Sequence, residues 1–96
     1  MDLGTSIKNI RKQKRLTQGE LARKSGITQT YLSQIESNQK QPNLSTLQEI
    51  SEQLAVPLPI IFFLAMTEED VSPSKRKAFE IVSPSIKSLV NEFFSV

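Results

Sequence analysis

With 96 residues, the chain has room for one domain and a short appendage. It contains no Cys and no His, which excludes disulfides, thiolate and imidazole metal sites, a thiol nucleophile and the commonest proton shuttle; neither an enzyme nor a bound cofactor or metal is expected. The formal net charge is only +2, but the eight Lys and Arg residues before Asn43 face three acids, whereas residues 43–70 carry five acids and no base, so a polyanion-facing surface is expected on the first half.

The chain opens on MDLGTSIKN, which has no apolar core of the kind a secretory signal needs. A first helix is predicted from about Leu3 to Lys14, with Leu3, Ile7 and Ile10 forming an apolar stripe at helical spacing. Thr17 with Glu20 three residues later is the reciprocal capping pattern that starts a second helix. Its core side is Leu21 and Ala22, and Gly26 ends it, because glycine enters the left-handed region without steric cost. Thr28 caps a third helix with Leu32 and Ile35 inward, ending near Asn38. After a loop around Pro42, a fourth helix is expected over Ser45–Leu54 with Leu47, Ile50 and Leu54 on one side, until Val56-Pro57 breaks it. A fifth, Leu58–Met66, is apolar nearly all round and should lie inside the domain or at an interface; it is too short to span a bilayer. Then Val71-Ser-Pro-Ser recurs as Val82-Ser-Pro-Ser. Each Ser-Pro pair suits a helix start, so two short helices are predicted, about 73–81 and 84–94.

The segment from Gln18 to Ser37 has the layout of a helix-turn-helix. Small Ala22 stands fifth, where two helices cross, and Gly26 ninth, in the turn; Leu21, Ile27, Leu32 and Ile35 supply the contacts that set a steep angle between the helices. On the third helix, Gln29, Thr30, Ser33 and Gln34 share one side, opposite Leu32 and Ile35. That polar side starts at the helix N-terminus, the end that enters the major groove in this motif. A glutamine amide can bridge N6 and N7 of adenine, which makes Gln29 and Gln34 the first candidates for base reading, with Thr30 suited to a thymine methyl.

LTQGELARKSGIT, YLSQIE and QPNLSTLQEISEQLAV, within positions 5–66, strongly resemble the Cro/C1-type (XRE) helix-turn-helix family. The resemblance implies an all-α chain: a five-helix, lambda-repressor-like DNA-binding domain over residues 1–67, with a C-terminal helical extension over 68–96. It also implies a cytoplasmic, sequence-specific regulator, a repressor in the first instance, that binds a double-stranded operator as a homodimer. Many members have Gly where this chain has Asn38, which can take the same left-handed turn. Phosphate contacts are expected from Thr17, Gln18, Thr28, Tyr31, Asn38, Lys40 and Asn43, of which Gln18 rests on the family. The family further implies a partly buried ion pair between Arg11 and Glu36, and dimer contacts near the fifth helix and beyond: Ile60, Phe62, Phe63, Leu89, Phe93 and Phe94. The length leaves no room for a sensor domain, so no small-molecule effector is expected. A protein antagonist could bind the tail, and an antitoxin whose tail holds a toxin partner is the alternative reading.

Overall fold

Four polar side chains stand where four helices must begin. Asp2 accepts from Thr5 N, Thr17 from Glu20 N, Thr28 from Tyr31 N and Asn43 from Thr46 N. Each thereby satisfies a backbone donor that the first turn leaves free. In the computed structural model, which describes residues 1–94, these caps open α1 (Leu3–Gln13), α2 (Gln18–Lys24), α3 (Gln29–Glu36) and α4 (Leu44–Leu54). Pro57-Leu58-Pro59 opens α5 (Leu58–Ala65), where proline's fixed φ suits the first turn. α6 (Arg76–Val90) follows, and short 3₁₀ turns at Glu68–Asp70, Pro73–Lys75 and Asn91–Phe94 complete the described residues. No β-strand occurs among them, and no helix among them is long and apolar enough to cross a membrane. Ser95 and Val96, the end of the predicted extension, lie outside the described residues.

The expected inward residues make the core: Ile7, Ile10, Leu21, Ala22, Leu32, Ile35, Leu47, Ile50, Leu54 and Ile61, joined by Val56. α1 packs on α3 and α5, α2 on α3 and α4, and α4 turns through 99° into α5. Ala55 makes that corner by adopting the left-handed conformation (φ 57°), as Arg15 does between α1 and α2 (φ 59°). The turn between α2 and α3 has Gly26 at φ 71°, as its position in the motif required. Asn38 sits at φ 61°, the left-handed turn expected of it after α3.

Gly4 was not singled out in the sequence, yet it sets how closely α1 approaches the end of α3. A Cβ built there would stand 2.3 Å from the Ile35 carbonyl oxygen and 2.6 Å from Asn38 Oδ1. The Gly4 N–H donates to Asn38 Oδ1 at 3.0 Å, and Asn38 Nδ2 donates to Asp2 Oδ1 at 2.7 Å. That donation holds the Asp2 carboxyl below its ordinary range. Because a carbonyl of the backbone blocks the space, Gly4→Ala must push the two helices apart. We expect it to destabilise the fold by about 1–3 kcal/mol, visible as a lower urea midpoint with an unchanged slope.

Two boundaries differ from expectation. α4 starts at Leu44, one residue before the expected Ser45, because the Asn43 side chain caps it. More substantially, the two short helices predicted at 73–81 and 84–94 are one continuous α6 with Pro84 inside it. Ser83-Pro84 has the composition of a helix start, but a competing pattern runs through it. Phe79, Ser83, Ile86 and Val90 fall on one face, and that face turns inward, burying Ser83 and Val90 and half-burying Phe79 and Ile86. The proline removes one backbone donor, while its φ remains compatible with the helix. On this inward side the Phe63 and Phe79 ring centroids are 6.5 Å apart, and Phe94 packs against the core. Arg76 Nε donates to the carbonyls of Glu68 and Val71, at 3.0 and 3.3 Å, fastening the polar turn before α6.

Candidate nucleic-acid interface

Helix α3 is short, and its core side holds it by Leu32 and Ile35, both buried. Its other side is left in solvent. Gln29, Thr30 and Ser33 are exposed and Gln34 is half-buried. All four line one open depression, together with Gln18 at the start of α2 and Gln39 beyond α3. Four of the six side chains are primary amides, each offering a donor pair and an acceptor.

Gln18 connects the depression to a buried ion pair. Arg11 Nε donates to Glu36 Oε2 at 2.7 Å and Arg11 Nη2 to Glu36 Oε1 at 2.9 Å, a two-pronged contact between side chains only 9% and 3% exposed. Arg11 Nη1 donates to the Leu16 carbonyl at 2.9 Å. One guanidinium therefore ties α1 to the end of α3 and to the turn that Arg15 makes. Glu36 Oε1 takes a further bond from Gln18 Nε2 at 3.2 Å, and Gln18 Oε1 accepts from Gln29 Nε2 at a long 3.5 Å. The sequence suggested the pair only through family resemblance. It held no sign of the link onward to Gln29, because residues 11, 18, 29 and 36 meet only after the bundle closes.

The expected phosphate residues divide by what else they do. Thr17 and Glu20 satisfy each other's backbone N–H groups, at 3.1 Å both ways, and this contact to Thr17 holds the Glu20 carboxyl below its ordinary range. Thr28 caps α3, Asn43 caps α4, and the Asn38 side chain is spent on Gly4 and Asp2. Tyr31 is half-buried against the core, and Lys40 stands exposed just past α3. Gly19 is a further participant that sequence reasoning passed over. A Cβ there would lie 3.3 Å from Gln29 Oε1, so its bare backbone leaves space for the Gln29 amide above α2.

A family profile described as helix-turn-helix matches residues 7–61, the span from α1 to the middle of α5. The chain belongs to the Cro/C1-type helix-turn-helix family. That family is one of DNA-binding transcriptional regulators. Among its relatives, the immunity repressor protein of Bacillus phage phi105 is 39% identical over 61 residues, covering 64% of this chain and 42% of the repressor. The ImmF control region 10 kDa protein of the same phage is 41% identical over 69 residues, covering 72% and 73% of the two chains. SinR, a helix-turn-helix transcriptional regulator of Bacillus subtilis, is 42% identical over 55 residues, 56% of this chain and 50% of SinR. The chain thus spans less than half of the phage repressor's length and half of SinR's. The fold is also that of the clp gene regulator ClgR from Corynebacterium glutamicum, with a TM-score of 0.68 over 88% of this chain and 89% of that one, at 21% identity.

Of the six residues expected at a dimer contact, four face their own domain. Ile60, Phe62 and Phe94 pack against the core and Phe63 meets Phe79. Leu89 and Phe93 remain exposed, as do Ile81 and Val82 of α6, of which Val82 lies one heptad before Leu89 on the same face.

Proposed function

We propose that the chain is a sequence-specific, double-stranded DNA-binding regulator, acting in the cytoplasm as a repressor with α3 in the major groove. The observation that carries this reading is the open depression in which Gln29, Thr30, Ser33 and Gln34 stand together on a helix otherwise held by buried leucine and isoleucine. A polar edge of this kind suits base edges, whose major-groove pattern of donors and acceptors distinguishes all four base pairs. Lys40, with the Tyr31 hydroxyl and the helix ends at Thr17, Gln18 and Thr28, supplies phosphate contacts around it. Such contacts set register and affinity without selecting sequence. Asn38 and Asn43 are left to their structural hydrogen bonds. The repressor reading draws on the phage immunity repressor, and it rests on the matched domain alone.

We also infer a homodimer. One recognition helix reads only a few base pairs, and members of this motif reach operator affinity by placing two copies on half-sites a helical turn apart. The exposed apolar side of α6 supports pairing between two copies.

Selection of bound duplexes from a random pool tests the reading, with a two-fold symmetric site as the expected product. Against that site, Gln29→Ala should cost roughly 1–3 kcal/mol and relax preference at one base pair per half-site. An equal loss on every duplex, or no enriched sequence at moderate salt, overturns base reading by Gln29.

A further inference from the structure

The extension does not close completely on the domain. Ser6, Asn9 and Ile10 recur at helical spacing on one side of α1, and Lys87, Asn91 and Phe94 recur likewise from α6 into the turn after it. With Leu64 near the end of α5 they line an open groove of about 360 Å³, which lies within the size of small-molecule sites, about 300–1,000 Å³. The lining has two characters. Ile10, Leu64 and the half-buried Phe94 make part of it apolar, while the exposed Asn9 and Asn91 contribute amides. Lys87 is the one base of the lining and Asp2 the one acid.

Two of these side chains have no task in the fold. Ser6 is only 8% exposed, yet its hydroxyl makes no hydrogen bond to a described residue. Buried hydroxyls are nearly always paired, so an unpaired one lining a groove points to a ligand atom. Lys87 enters no ion pair among the described residues. Asp2 does not answer it, because its Oδ1 already accepts from Asn38 Nδ2 and from the Thr5 N–H.

We propose that the groove binds a small organic monocarboxylate that carries a hydroxyl on a compact apolar body. One ammonium matches one negative charge, and the lining has no guanidinium to grip a phosphate at two points. The carboxylate pairs with Lys87, the hydroxyl with Ser6, and the body lies against Ile10, Leu64 and Phe94. Since Ser6 belongs to α1 and Lys87 to α6, the bound acid ties the extension to the DNA-binding domain. The short length argued against a small-molecule effector because it leaves no room for a sensor domain; a groove between domain and extension needs none.

The probe is 4-hydroxyphenylacetate, with phenylacetate and 4-hydroxyphenylacetamide as matched controls, titrated into the full chain and followed by backbone amide chemical shifts. For a ligand of about eleven non-hydrogen atoms in an open site, a dissociation constant of roughly 1–10 mM is expected. The shifts should centre on Ser6, Asn9 and Asn91 and spare Gln29 and Gln34. Removing either the charge or the hydroxyl of the probe should weaken binding by roughly three- to tenfold, the worth of one hydrogen bond to a partly open site. Ser6→Ala should melt no lower than the original, because it deletes an unpaired hydroxyl and gains helix propensity. It should nevertheless erase the preference for 4-hydroxyphenylacetate over phenylacetate while keeping that for acid over amide. Lys87→Met should do the reverse. The inference is wrong if no saturable shift appears below about 50 mM, several times the expected constant, or if the shifts centre outside the groove. It is equally wrong if acid and amide bind alike, or if the hydroxyl preference survives in Ser6→Ala. DNA binding by α3 is untouched by any of these results, so the regulator reading stands or falls separately.

Discussion

Glu36→Ala should lower the free energy of unfolding by about 3–5 kcal/mol, a large fraction of what a domain of this size holds. The side chain leaves behind an Arg11 guanidinium that is 9% exposed and retains only the Leu16 carbonyl as partner. The penalty is mostly that of a stranded buried charge, because the net value of an intact buried pair over apolar groups of the same size is small. A paired expectation follows: Arg11→Met combined with Glu36→Leu should recover most of the loss, although either change alone is severe. Urea titration followed by circular dichroism measures both. Burial also shields the pair from salt, so the Glu36→Ala deficit should persist in high salt. A single-variant deficit below about 1 kcal/mol would mean that the pair is solvated in solution.

This pair illustrates what could and could not be read along the chain. Helices α1 to α5 were legible from local signals: an apolar stripe at a period of 3.6 in α1 and α4, a capping side chain before α2 and α3, breakers such as Gly26 and Val56-Pro57, and the unbroken apolar run of α5. The polar edge of α3 was legible for the same reason, since Gln29, Thr30, Ser33 and Gln34 lie within six positions of one another. Contacts between residues distant in sequence were not. Gly4 looks like an ordinary helix glycine until Ile35 and Asn38 are seen above it. Asn38 looked available to phosphate until its amide was found bridging Asp2 and Gly4. Gly19 and the Gln18 link to Gln29 depend on the angle at which α2 crosses α3. α6 is the opposite case, where a strong local signal at Ser83-Pro84 was overruled by the side that had to be buried. Its two apolar sides merge into one wide band, and spacing alone could not say which part faces the domain.

The outer part of that band leads to the second large effect, expected from Leu89→Lys. Leu89 is 75% exposed, and Val82, one heptad earlier on the same face of the helix, 48%. Lysine is as good a helix former as leucine, and an exposed position away from caps and core changes stability by no more than about 0.5 kcal/mol. The variant should therefore fold as well as the original. Across a two-fold axis, however, each copy would bring its lysine against the apolar side of the other, where desolvating the charge has no compensation. Sedimentation at micromolar concentration should shift from dimer to monomer. Affinity for the two-fold site should drop by roughly 10²–10⁴, the advantage that joining two recognition helices confers, while affinity for a single half-site stays the same. The half-site control separates loss of pairing from damage to α3. If the unmodified protein sediments as a monomer both free and on its operator, or if Leu89→Lys still pairs, the outer side of α6 is not where two copies meet.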